Sequence, residues 1–174
     1  MAITKDDSQL LSEKTQSAFD AYTQLNTDAK LALLYFIYEA MGEDVTPAAP
    51  TAADPSLAPV LLGDFYQLSS EQQLAVMREI VNCEDTDYSR AYGGLTANNQ
   101  LLVWFAWAQA MGDTVVDLPS GYQVDRAIKD LLGQIEQLEF QEQISVLREI
   151  ASRMGYSNIQ PIPTQAETGK TSSL

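Results

Sequence analysis

The chain has no histidine among its 174 residues and a single cysteine, Cys83. The commonest general base and metal ligand is therefore missing. A cysteine with no histidine to activate it is a poor nucleophile candidate. There is no Gly-rich phosphate loop, no GxSxG turn and no metal-spaced Cys/His cluster. Acidic neighbours such as Glu84 and Asp85 read as solvated charge, not as a general acid–base pair. An enzyme is not expected. The side chains left with specialised chemistry are aromatics and methionines: Tyr35, Tyr38, Trp104 and Tyr122, with Met41, Met77 and Met111. Tyr and Trp present an apolar ring and one polar atom that needs a partner when buried. Methionine adapts to an irregular apolar neighbour.

Helices must position these residues. In LLVWFAWAQAMG (101–112) there is no charge at all. Leu101, Trp104, Phe105, Ala108 and Met111 share one face at helical spacing, with Val103 and Trp107 opposite. Upstream, Leu31, Leu34, Tyr35, Tyr38 and Met41 share a face, with Leu33, Phe36, Ile37 and Ala40 on the other side. Helices this apolar need cover on two sides. The stripes are either ordinary core or the walls of a long apolar channel. The polar-tipped aromatics, the methionines and the small Ala108, one turn from Trp104, favour the channel.

The same chain matches itself at a shift of 70 residues without a gap. Leu31 falls on Leu101, and Ala40-Met41-Gly42 on Ala110-Met111-Gly112. Leu61-Leu62-Gly63 falls on Leu131-Leu132-Gly133, and Gln67-Leu68 on Gln137-Leu138. Val76, Arg78, Glu79 and Ile80 fall on Val146, Arg148, Glu149 and Ile150. Two copies of a helical unit predict two packed halves related by a pseudo-twofold axis.

Caps and periodicity predict an all-α chain. Ser12 caps a first helix, and Asn26 or Thr27 starts a second that ends at Gly42. A helix is expected over 57–68, and another after Ser69 or Ser70. A short helical turn is expected within 85–96, the 101–112 helix runs to Gly112, and two more cover about 125–137 and 141–154. The first ten or so residues, the proline-bearing 43–55 segment and the tail read as connections. The predicted division is a helical domain over 1–156 and a flexible tail over 157–174.

Composition narrows the partners. Twenty-four acidic and 10 basic residues give a formal charge of −14. This excludes a nucleic-acid binder, which needs clustered Lys and Arg, and opposes adsorption to an anionic membrane. No apolar run is long enough to span a bilayer. One cysteine permits no intrachain disulfide, and MAITKDDSQ lacks the pattern of a secretory signal. A cytoplasmic monomer is expected.

LALLYFIYEAMG (31–42), AAP (48–50), LSSEQQLAVM (68–77), NNQLLVWFAWAQAMG (98–112), LPSGY (118–122) and QEQISVLREIASRMGY (141–156) carry a resemblance, in order along nearly the whole chain. The sequence resembles the helical N-terminal domain of the orange carotenoid protein, and more closely the free-standing helical carotenoid proteins of cyanobacteria. That resemblance implies two interleaved four-helix bundles with a keto-carotenoid (canthaxanthin, echinenone or similar) threaded between them. It implies that Leu31, Leu34, Tyr35, Tyr38 and Met41 line one wall, with Pro50 at its border and Met77 on the polyene. Leu101, Trp104, Ala108 and Met111 line the opposite wall. Leu118, Pro119 and Tyr122 close one end, with Ile144 and Leu147 from the last helix. No further domain follows the tail, so the resemblance is to the free-standing form.

Two positions depart from the two-domain relatives, and a third matches them without its partner domain. Tyr35 stands where those carry a tryptophan, which weakens ring stacking, and Arg78 stands where a cysteine is usual. Arg148 matches an arginine that the resemblance links to domain pairing and antenna docking; without a partner domain it is either a free docking residue or, the reading favoured here, part of a local ion pair with Glu149 or another acid. The function implied is photoprotection by quenching singlet oxygen. The alternatives are a quencher that docks on phycobilisomes, near the thylakoid surface, and a carotenoid carrier or pigment-free helical module. A separate protein resembling the C-terminal domain is a further implied partner.

Overall fold

The computed structural model describes residues 12–45, 58–118 and 122–157, with the backbone alone over 41–45. Seven α-helices lie among them: α1 Glu13–Thr23, α2 Thr27–Val45, α3 Ser70–Val81, α4 Asp87–Gly93, α5 Ala97–Gln109, α6 Arg126–Glu136 and α7 Phe140–Ser152. A 3-10 helix spans Asp64–Gln67. The one extended pairing among the described residues is an isolated bridge between Met111 and Val115. The expected arm, the 46–57 connection with Pro50, residues 119–121 and the tail beyond 157 lie outside the described residues.

Local chemistry sets the helix starts. Ser12, Ser69, Thr86, Thr96 and Asp125 each accept a backbone N–H of the first turn through a side-chain oxygen. Ser69 with Gln72, and Glu139 with Glu142, form reciprocal capping boxes at positions 70 residues apart. Replacing Ser69 by Ala is expected to cost about 1 kcal/mol of stability, read as a lowered urea midpoint.

Packing follows the repeat. Helices α1, α2, α6 and α7 make one bundle; α3, α4, α5 and the 58–67 segment make the other. Each takes elements from both copies, so the bundles interleave. Equivalent hydrogen bonds recur at the 70-residue shift. The Gln73 amide donates to the Phe65 carbonyl at 3.2 Å, and the Gln143 amide to the Ile135 carbonyl at 3.1 Å. Arg78 Nε donates to Asp28 and Arg148 Nε to Asn98, both at 2.9 Å. The bundles meet along α2–α3, α2–α5 and α5–α7, which covers the double-sided apolar helices found in the sequence. The segment after α7 then returns onto the second bundle: Gly155 N–H donates to the Ile80 carbonyl at 2.8 Å and Tyr156 N–H to that of Ser89 at 3.0 Å.

Three boundaries differ from expectation. The 57–68 stretch is not an α-helix: turns precede the 3-10 helix. Its Leu61 carbonyl accepts the Trp107 indole N–H at 3.0 Å, and Phe65 N–H reaches back to Val60 instead. Helix α2 runs through Gly42 to Val45. Its repeat-mate Gly112 adopts φ +84°, and α5 stops at Gln109 before that turn. The same Ala-Met-Gly triplet thus continues one helix and follows the end of the other.

Candidate functional site

Where α2, α3 and α5 meet, a cavity of about 330 Å³ opens between the bundles. Such a volume falls in the range of small-ligand sites. From α2 come Leu31, Leu34, Tyr35 and Tyr38; from α3, Met77; from α5 and its end, Trp104, Ala108 and Met111; from the following segment, Leu118 and Tyr122. These ten are among the residues singled out in the sequence, and the fold brings them to one cavity. A second recess of about 190 Å³ shares Tyr35, Tyr38 and Ala108 and adds Glu39, Phe105 and Gln109.

Leu101, Ile144 and Leu147 do not line this cavity. All three are buried, and they are the 70-residue counterparts of Leu31, Leu74 and Met77, which do. They stand at the equivalent junction of α5 with α7. Met41 belongs to α2, but its side chain is outside the description, and Pro50 and Pro119 lie outside the described residues.

Several lining residues escaped the sequence reading: Asp28, Ala32, Leu74, Val116 and Asp117. Trp107, assigned there to the far face of α5, also borders the cavity. Its ring stacks on Phe65 at 4.1 Å and meets Trp104 edge-on at 5.2 Å. A single helix wheel separates the two tryptophans by three positions, which permits either ring to reach the same space. The repeat offered one usable signal: Leu74 and Asp28 share the shift that relates Arg78 to Arg148.

Four of the cavity's aromatics, Tyr35, Tyr38, Trp104 and Trp107, spend their polar atoms elsewhere. The Tyr38 hydroxyl donates to the Leu101 carbonyl at 3.1 Å. Trp104 Nε1–H donates to the Tyr92 hydroxyl at 2.9 Å, and Trp107 Nε1–H to Leu61. The Tyr35 hydroxyl donates to Glu39 at 3.0 Å. Burial drives the Tyr38 hydroxyl well above its ordinary pKa. At Tyr35 and Tyr122 burial is again the leading cause of an upward shift, reinforced by nearby carboxylates. All these phenols stay neutral at neutral pH, and the rings present carbon to the cavity.

Charge sits at the rim. Arg78 forks onto Asp28 through two hydrogen bonds, 2.9 and 3.1 Å, with both side chains about half exposed. The arginine keeps its head in water while its residue lines the cavity. The Asp28 hydrogen bond is the leading cause that raises the guanidinium pKa. Arg148 differs from expectation: it bonds the Asn98 amide, and Glu149 pairs instead with Arg153 at 2.6 Å. Position 98 carries an amide where its repeat-mate Asp28 carries a carboxylate, so only one arginine of the related pair has its charge balanced there.

Gln73 fixes the wall that follows α5. Its amide donates to Thr114 O and its carbonyl accepts Val116 N–H, both at 2.8 Å. Gln73 is buried. Gln73→Ala is expected to leave these loop groups unpaired and cost about 2 kcal/mol, read by urea unfolding, with retained folding slope.

Among the described residues no group of three or more His, Cys, Asp or Glu is placed to hold a metal. No helix there is long and apolar enough to cross a membrane.

Comparison with known proteins places this geometry. The family model described as "Orange carotenoid protein, N-terminal" matches residues 8–157. An orange carotenoid-binding domain-containing protein of Nostoc sp. is 36% identical over 140 residues, 80% of this chain and 82% of the relative. The orange carotenoid-binding protein of Synechocystis sp. is 34% identical, over 78% of this chain but 43% of its own length. Among solved structures, the Red Carotenoid Protein of Anabaena (Nostoc) sp. binding canthaxanthin superposes with a TM-score of 0.72 at 31% identity, covering 82% of this chain and 99% of that one. The Orange Carotenoid Protein of the same organism, also binding canthaxanthin, gives 0.75 at 27% identity, covering 90% and 51%. A match over 8–157, on a fold of two interleaved helical bundles, makes this chain a member of the orange carotenoid protein N-terminal domain family.

Proposed function

We propose that this chain binds a keto-carotenoid in the cavity between its bundles and serves as a photoprotective quencher of singlet oxygen. The observation that carries this reading is the cavity wall itself: Tyr38, Trp104 and Trp107 all turn their polar atoms into the protein and leave apolar ring surface facing the space. A guest for such a wall is apolar, and the relatives that share the fold bind canthaxanthin.

The residues fit a polyene. Leu31, Leu34 and Met77 grip one side and Trp104, Ala108 and Met111 the other, with Tyr35 and Tyr38 between them. Ala108 stands where the repeat puts Tyr38 on the facing helix, so a small residue opposes a large one and leaves a slot. Leu118 and Tyr122 close the end beside the Arg78–Asp28 pair. In this reading the ligand continues past Tyr38 and Ala108 toward Leu101, Ile144 and Leu147, the repeat-related positions of the second junction. Met41, Pro50 and Pro119 are assigned to the same path by the family resemblance. When bound, the conjugated chain accepts excitation energy and releases it as heat. The protein excludes water, holds the rings at fixed twist and sets the surrounding polarity.

The test is expression in a host that makes keto-carotenoids. The expected product is a coloured protein with stoichiometric pigment and a red-shifted polyene band, which shortens the lifetime of singlet oxygen near-infrared emission. Burial of apolar ligand surface at roughly 25 cal/mol per Å² also predicts a higher Tm for the pigmented form than for the empty one. A folded but colourless product would overturn the reading and favour a pigment-free module. Transfer of pigment to a separate apo-protein, without singlet-oxygen quenching, would favour a carrier.

One observation favours a second reading, docking on a phycobilisome. Arg148 is exposed and bonds an amide, with no acid partner among the described residues. In that case the pigmented protein quenches fluorescence of isolated phycobilisomes and Arg148→Glu abolishes the effect.

A further inference from the structure

Tyr92 belongs to no cavity wall, yet it is tied to one. It lies in α4, is fully buried, and its hydroxyl donates to the Ala151 carbonyl of α7 at 2.7 Å. A phenol has one proton to give. With that proton spent, its oxygen offers a lone pair, and the Trp104 indole N–H takes it at 2.9 Å. The result is a directed chain, Trp104 to Tyr92 to Ala151, in a dry interior where linked hydrogen bonds strengthen one another. Burial keeps the hydroxyl protonated by raising its pKa well above the ordinary value.

Tyr92 itself is held from several sides. The Gln100 amide donates to its backbone carbonyl at 3.1 Å. Gly155, at φ +81°, lets the chain pass so close that an added Cβ would meet the Tyr92 ring at 2.6 Å. Any side chain at 155 would displace the ring. The acceptor presented to Trp104 is therefore fixed in position by three separate segments.

A tryptophan needs such an anchor when its face is a binding surface. The ring torsion is broad and roughly two-fold, so a second orientation exists that the contacts around the ring have to exclude. In that orientation the indole N–H would lose its partner, or face the apolar guest, and an unpaired buried donor is costly. The repeat shows that this device is local. Tyr22 is the counterpart of Tyr92, but Trp104 has Leu34 as its counterpart, which has no N–H to anchor.

We infer that Tyr92 is the positioning residue that fixes the Trp104 ring plane against the bound polyene and so tunes its absorption. This rests on the carotenoid reading above. The experiment loads wild type, Tyr92→Phe, Trp104→Phe and the double variant with canthaxanthin, and records the visible band and the binding isotherm. Circular dichroism checks each fold, and the indole N–H NMR resonance reports the Trp104 hydrogen bond. The expected result is a shifted, broadened band and about fivefold weaker binding for Tyr92→Phe, with its indole resonance displaced. In the Trp104→Phe background the same substitution should move the band no further, since Tyr92 acts through that ring. A merely structural tyrosine would lower Tm in both backgrounds and leave the band in place. If wild type binds canthaxanthin and Tyr92→Phe leaves its band unmoved, or if its effects add fully to those of Trp104→Phe, the positioning role is overturned while the pigment reading stands. If wild type binds none, both fall together.

Discussion

Ala108→Trp is expected to abolish pigment uptake while leaving the protein folded. Ala108 lines both the main cavity and the recess beside it, so it lies where the two meet. It is only half-buried, and the space in front of it is open. An indole grown from this position fills the slot between α2 and α5 without displacing core. Binding should weaken by at least about a hundredfold, because the polyene loses its passage and the apolar contact on both sides of it. Stability should hold or rise, since the added ring covers apolar surface already lined by Tyr38 and Trp104. The measurement is pigment stoichiometry after expression in a keto-carotenoid host, alongside a thermal melt. A variant that melts like wild type and still carries full pigment would place the ligand elsewhere. A variant that fails to melt cooperatively would show that Ala108 is core.

Trp107→Ala should give the largest loss of stability. Trp107 is 1% exposed, stacks on Phe65 and donates to Leu61 O. Truncation removes a large buried ring, leaves a void between α5 and the 58–67 segment, and strands a buried carbonyl. Loss of a buried tryptophan costs about 3–5 kcal/mol, a large share of a typical domain's stability. Urea unfolding by circular dichroism reads it directly. Trp107→Phe should recover much of the packing but not the hydrogen bond, so its loss should fall between wild type and Ala. A small effect for Trp107→Ala would mean that the 58–67 segment is not held by this residue.

These two positions lie one residue apart in the helix's cavity-facing set, and the sequence ranked them unequally. Ala108 was legible: it sits one turn from Trp104 and offers room beside a ring. Trp107 was placed on the opposite face with Val103, although three positions from Trp104 is only about 60° on the wheel and puts it at the edge of the stripe. A tryptophan reaches across that division, and only the tertiary packing fixes which way it leans. Leu101 shows the converse. It shares the face of Trp104 and Ala108, but it is covered by the bundle junction and meets the facing helix through its carbonyl, which the Tyr38 hydroxyl takes. Arg148 is a third case. Glu149 beside it is adjacent in sequence, but neighbours on a helix point in different directions, so Glu149 pairs with Arg153 and Arg148 meets Asn98 from α5.

The sequence by itself determined the seven described α-helices, the Ser12 and Ser69 caps and the internal repeat, but not the 3-10 segment over 64–67 or the Thr86 and Thr96 caps. What it determined is written in local terms: an oxygen-bearing residue ahead of an apolar period, or the same residue types returning after 70 positions. It also determined that α2 and α5 must be covered on two sides, since neither has a polar face. Tertiary structure decided what the cover is. Periodicity gives the angle between two side chains on one helix but says nothing about which neighbour approaches or how closely. That distance leaves the space between Tyr38 and Trp104 open as a cavity, while Leu101 and Leu147, at the repeat-related junction beyond it, are buried.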